Sequence, residues 1–132
     1  MSEAEVAAAA EVVHAHGKRM SAHARSADAV KICVRQGVKV IYHANFLDEE
    51  ALDMLEENKD WVFVSPNIGF TAIAAYEGEQ WFTEEQVQQL GFREELAAAV
   101  TGLKELQRRG VRILGGGDYG FGLTPHGNNA RD

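Results

Sequence analysis

Apolar residues recur at helical spacing near the start of the chain, at Val6, Ala9, Ala10 and Val13. Ser2 precedes them with Glu5 three residues on, so a capped helix is expected to run until Gly17. A short strand is expected over 19–22. Residues 28–36, with Val30, Cys33 and Val34 on one side, predict a second helix stopped by Gly37, and 38–42 a second strand. Asp48 caps a third helix bearing Ala51, Leu52 and Leu55, and 61–64 form a third strand broken by Pro66. Residues 67–92 are less regular, with Tyr76, Trp81 and Phe82 expected at the surface and a short helix from Thr83; they are expected to form an elaborated loop, a lid or a partner contact, the bland alternative being a helix packed on the outside of the domain. A long helix over 93–109, carrying Leu96, Val100, Leu103 and Leu106, leads through Gly110 to a fourth, buried strand over 111–114.

Strand and helix therefore alternate, and no two strands are close enough in sequence for a tight hairpin. The expected fold class is α/β, with four parallel strands and crossover helices in one domain spanning 1–132. In such sheets the functional end is the one where the strands terminate. His23, His43, Asp118 and the Ser65-Pro66-Asn67 turn all fall there, and both histidines stand six residues after a helix-ending glycine, Gly17 or Gly37.

Composition narrows the partners. A formal net charge of -7 with scattered Lys and Arg disfavours nucleic acid and favours a small-molecule substrate. The single cysteine, Cys33, excludes an intrachain disulfide and a Cys-x-x-Cys metal site. No apolar run reaches the roughly 18 residues of a membrane span, and the acidic start lacks the features of a secretory signal, so a cytoplasmic protein without membrane contact is expected. Gly115, Gly116 and Gly117 lack the lysine and helix of a phosphate-binding loop, which argues against a nucleotide.

Two imidazoles and a carboxylate at equivalent strand ends match the ligand count of a catalytic divalent metal, zinc first, with manganese or cobalt as alternatives. Taken singly, a strand-end His is more often a hydrogen-bonded structural residue, and an Asp after glycines a turn or cap; the coincidence of His23, His43 and Asp118 carries the metal reading. His126, Arg25, Tyr42, Asn67 and Tyr119 are candidate substrate contacts, with Asn45 and Phe121 as further pocket-lining groups. The bland alternatives are a loop histidine, a solvated arginine and ordinary packing. His14 and His16 lie two apart on a helix, about 200° around its axis, and read as a helix-end pair.

The order Ser21-Ala-His23-Ala, Val38-Lys-Val-Ile-Tyr-His43, Gly115-Gly-Gly-Asp118 and Pro125-His-Gly-Asn128 resembles the second half of a metal-dependent amidohydrolase, in the branch of imidazolonepropionase-like and prolidase-like enzymes. The resemblance covers essentially the whole chain. It implies half of a (β/α)8 TIM barrel, strands five to eight, with His23 and His43 as metal ligands from the strand-five and strand-six positions. Asp118, at the strand-eight position, would be both ligand and proton carrier. A full barrel needs about 250 residues, and this chain has no counterpart of the family's strand-one His-x-His motif or its strand-four lysine or carboxylate.

The resulting expectation is a metal-dependent hydrolase acting with activated water on an amide, ester or phosphotriester bond. The alternative is a non-catalytic half-barrel that folds and self-associates without a complete metal site; a flavodoxin-like domain would need a fifth strand and a phosphate loop. A homodimer that rebuilds eight strands is expected, because a sheet covered on one face leaves apolar surface and both edges open, and the last residues, 128–132, stand where a helix covering the fourth strand would begin. A sandwich of two open sheets is the competing arrangement.

Overall fold

A computed structural model describes residues 1–127. Its elements in chain order are α1 (Glu3–Ala15), β1 (Ser21–Ser26), α2 (Ala27–Arg35), β2 (Val40–Phe46), α3 (Glu49–Glu57), β3 (Phe63–Ser65), α4 (Ile68–Tyr76), α5 (Glu84–Leu90), α6 (Phe92–Arg108) and β4 (Arg112–Ile113). The strands form one sheet in the order β1-β2-β3-β4, every pair parallel, as the alternation of strand and helix requires.

The helix starts follow from capping. Ser2, Ser26, Asp48 and Thr83 each accept a hydrogen bond from the backbone amide three residues on, supplying a partner to one of the amides that a helix start leaves free. Ser2 with Glu5 and Thr83 with Gln86 complete reciprocal capping boxes.

Pairing register sorts the two faces of the sheet. Ala22, Ile41, Val64 and Ile113 form one row, and toward the helices Ile41 and Val64 are fully buried with Val30, Leu55, Val38 and Leu106. Ser21, Val40, Phe63 and Arg112 form the next row on the opposite face, and none of them is buried. Adjacent strand residues point to opposite sides, so one face makes the core and the other stays open. Arg109, almost wholly covered, ties the end of α6 to α3 through Glu49, Asp53 and Glu56.

Three expectations need correction. β1 and β2 run past the predicted strand ends, so His23 and His43 belong to the strands themselves. Strand β4 is short and exposed, as is Leu114 just after it, because it is a sheet edge with a neighbour on one side only. Residues 67–92 are mostly helical: α4 packs on α6, burying Thr71, Ile73, Ala74 and Ala75, and helical packing has overridden the weak periodicity. Trp81 packs against Gly122, where the indole occupies the space a Cβ would need.

Candidate active site

The carboxyl-terminal rim of the sheet gathers the polar candidates, and a bulge in β2 is the device that does so. Ala24 pairs with His43, but Ser26 pairs with Phe46, so β2 holds one residue more than β1 over this stretch. His43 and Ala44 absorb it with φ of 76° and 50°, a left-handed conformation uncommon outside glycine. Strict alternation would send His43 to the helical side, opposite Tyr42. Instead its ring meets that of His23, 4.2 Å between centroids at 58°.

Asp118 reaches the same place from the loop after β4, its Oδ2 3.9 Å from His43 Nε2. It too has positive φ, 54°. The loop is held by Thr124, which is fully buried and donates its hydroxyl to the Asp118 carbonyl at 2.9 Å. Below it, Gly116 passes so close to Ser65 and Asn67 that a Cβ would lie 2.8 Å from Ser65 Oγ and 2.9 Å from Asn67 Oδ1. Ser65 donates to Asn67 Oδ1 at 3.0 Å, both side chains buried, and Asn67 itself has φ 53°.

Two cavities flank His23, His43, Asn67 and Asp118. One, of about 190 Å³, is also lined by Arg25, Phe70, Thr71, Phe92 and Glu95; the other, of about 390 Å³, by Tyr42, Ser65, Tyr119 and the glycines 115–117. Burial, helped by His23 and Arg25 and opposed by Asp118, holds the His43 imidazole below its usual pKa. A neutral ring keeps the lone pair that metal binding or proton acceptance requires.

Arg25 is not the freely solvated charge of the bland reading. Its guanidinium pairs with Glu95, whose other oxygen accepts from Asn45 Nδ2 at 2.9 Å. Glu95 and Asn45 are buried, and among the described residues Asn45 Oδ1 has no protein partner. Asn45 was a candidate pocket residue and lies beneath Glu95, outside both lining sets. His126 rests beside Gly120 and lines neither cavity, and Phe121 packs edge-on against Phe70 at 5.7 Å. Asn128 of the sequence motif lies outside the described residues. The sequence reading missed Glu95, Phe70, Thr71 and Phe92. Their local signal is ordinary, since an acid in the first turn of an amphipathic helix reads as solvated.

The donor set suits a borderline divalent ion. Two ligands each about 2.0–2.2 Å from one ion stand at most about 4.4 Å apart, so the 3.9 Å between His43 Nε2 and Asp118 Oδ2 is compatible with a shared ion. Among the described residues, however, no group of three His, Cys, Asp or Glu side chains is gathered as a metal site. The three form an open rim, not a closed ligand sphere. Among the described residues, too, no helix is long and apolar enough to cross a membrane.

Neither a protein-family model nor a curated protein matches the sequence. Solved structures do. A Xaa-Pro dipeptidase with methionine bound in its active site superposes with a TM-score of 0.80 at 25% identity, covering 99% of this chain and 31% of its own. A prolidase complexed with N-methylphosphonate-L-proline gives 0.70 at 27%, covering 98% and 29%, and an amidohydrolase 0.73 at 26%, covering 99% and 30%. The chain thus spans under a third of the length of these structures. They are amidohydrolase and prolidase-like proteins of TIM-barrel fold, and four parallel strands with crossover helices are consistent with half of such a barrel.

Proposed function

We propose that this chain is the strand-five-to-eight half of an amidohydrolase-superfamily barrel and carries one side of a metal-dependent hydrolytic site. The reading extends to it the metal dependence of the prolidases and amidohydrolases whose fold it shares. The observation that carries it is the convergence of His23, His43 and Asp118 on one rim, with His43 turned there by a strained bulge.

His23, His43 and Asp118 would hold the ion, zinc or alternatively manganese or cobalt. When bound, it supplies Lewis acidity toward a C=O or P=O oxygen and lowers the pKa of a coordinated water. His43 contributes an imidazole kept neutral by burial. Asp118 Oδ2 accepts a proton from the attacking water and returns it to the departing atom of an amide, ester or phosphotriester. Arg25, braced by Glu95, presents its remaining N–H donors to an anionic part of a small-molecule substrate, and Phe70 and Phe92 shape an apolar wall beside it. Tyr42, Asn67 and Tyr119 line the second compartment, toward the leaving group.

The test is metal loading followed by a hydrolysis screen over peptides, lactones, carboxylesters and phosphotriesters. One equivalent of bound metal and measurable turnover are expected, with Asp118→Asn reducing kcat about 10²–10⁴-fold while KM changes little. The open rim favours a second reading, a half-barrel without chemistry of its own. Protein that binds no metal at stoichiometric zinc, manganese or cobalt would decide for it.

A further inference from the structure

We propose that the cavity of about 190 Å³ is a seat for a singly charged oxyanion, held by the open amino terminus of α4 with Asn67 and Thr71, together with Arg25 of β1. The inference rests on the reading of this rim as a substrate site and names the group gripped there, but the binding itself needs no metal.

The amino terminus of α4 is left without a negative partner. Its cap residue, Asn67, makes no side-chain hydrogen bond to the helix, because its Oδ1 accepts from the Ser65 hydroxyl at 3.0 Å. Every other described helix has an acid in its first turn, and α4 has none. The first amides of a helix have no partner within it, and the summed peptide dipoles place about half a positive charge there. Such a terminus favours an anion.

Thr71 points to a ligand independently. A helical threonine can return its hydroxyl to the carbonyl four residues back, as Thr101 does to Ala97 at 2.8 Å. Thr71 does not: it is 4% exposed and lines the cavity, and its hydroxyl has no hydrogen-bond partner among the described residues. Nor is that hydroxyl sealed in the core, where the described side-chain atoms both buried and unpartnered are Asn45 Oδ1 and Arg109 Nε. It therefore opens into the cavity. A hydroxyl withdrawn from bulk water without a partner is costly, and a ligand oxygen in the cavity removes that cost.

Charge and shape narrow the ligand. Arg25 lines the same cavity, with Glu95 paired to one nitrogen of its guanidinium. Two carboxylates, Glu95 and Asp118, line the cavity as well and offset much of the positive charge, so a singly charged group is favoured over a dianion. Phe70 and Phe92 form an apolar wall, each fixed by a second ring, Phe121 on Phe70 at 5.7 Å and Phe82 on Phe92 at 5.1 Å. The seat thus fits an oxyanion that carries a compact apolar group.

The test follows the amide resonances of Gly69, Phe70 and Thr71 by NMR in metal-free protein, with ionic strength held constant by chloride. They should shift saturably with acetate, at lower concentration with benzoate, and less with sulfate. Thr71→Val removes the hydroxyl and nearly keeps the shape, and it should weaken acetate binding about 10-fold. Because that hydroxyl has no protein partner, the variant should keep or gain stability in urea, where a structural threonine would lose it. Asn67→Asp sets a carboxylate at the same terminus and should abolish the shifts, which keeps the proposal testable if Thr71→Val misfolds. Amides that respond to none of the three anions, a response that Thr71→Val leaves unchanged, or sulfate bound more tightly than acetate would overturn the seat. The hydrolytic reading falls on a different result, the absence of metal binding, so the two failures are separable.

Discussion

Helices α1, α2, α3 and α5 begin with a side chain that caps the first turn, whereas α4 and α6 begin at Asn67 and Gly91, left-handed residues without a side-chain cap. The uncapped pair are the two whose first turns, through Phe70, Thr71, Phe92 and Glu95, line the candidate site. The same division runs through the sheet. Its helical face holds the buried Ala24, Ile41 and Val64, while its rim holds His43, Ala44, Asn67 and Asp118, all at positive φ. Strained backbone of this kind persists where the surroundings over-determine it, and it clusters at sites of function. The back of the molecule supplies the stability that the rim draws on.

The largest test of that contrast is in the core. Ile41→Ala, at a fully buried position opposite Val64, should cost about 2–5 kcal/mol of unfolding free energy in urea titrations. A cost below about 1 kcal/mol would mean that the helical face is loosely packed. At the rim, Gly116→Ala forces a methyl against Ser65 Oγ and Asn67 Oδ1 and should cost about 1–3 kcal/mol. Because those atoms lie beside Asp118, the same variant should also lower metal affinity.

A matched pair isolates the backbone term. Ala44 and Ala51 are both buried, so replacement by glycine removes a similar methyl from each. Ala44 has φ 50° and Ala51 lies within helix α3. Glycine relieves the first and loosens the second, so the Ala44→Gly protein should be about 1–2 kcal/mol more stable than the Ala51→Gly protein. Equal stabilities would remove the argument for strain at the rim.

The smallest expected effect is in pH dependence. Burial, His23 and Arg25 hold the folded His43 below the ordinary value, against the pull of Asp118. The unfolded chain, titrating near about 6.5, therefore takes up the proton first. The contribution of His43 to stability is complete above that pH and declines as the pH falls toward the lower folded value, below which it levels off. His43→Asn should flatten the difference in urea midpoint between about pH 7.5 and about pH 5. A slope unchanged by the substitution would assign the pH dependence to other groups.

Much of this was legible along the chain. Ser2, Asp48 and Thr83 announce their helices, since capping is settled within four residues. The spacing of Gly17 to His23 and of Gly37 to His43 placed both histidines toward the carboxyl-terminal end of a parallel sheet. Residues 67–92 were misread as an elaborated loop because α4 is apolar nearly all round, Ile68, Phe70, Ile73, Ala74 and Ala75 included, and so has no periodicity to betray its helix.

Local periodicity and chain order, then, determined the alternation of strand and helix, the parallel sheet and the order in which His23, His43 and Asp118 reach its rim. Only the tertiary structure decided how those groups meet. The extra residue in β2 that turns His43 toward His23 depends on register against β1. Glu95 meets Asn45 across 50 positions of sequence, and Gly116 meets Ser65 and Asn67 across the β3–β4 connection. Such contacts join segments whose separate patterns are unexceptional; they arise because packing leaves each buried polar group few partners, and the backbone strains to reach them.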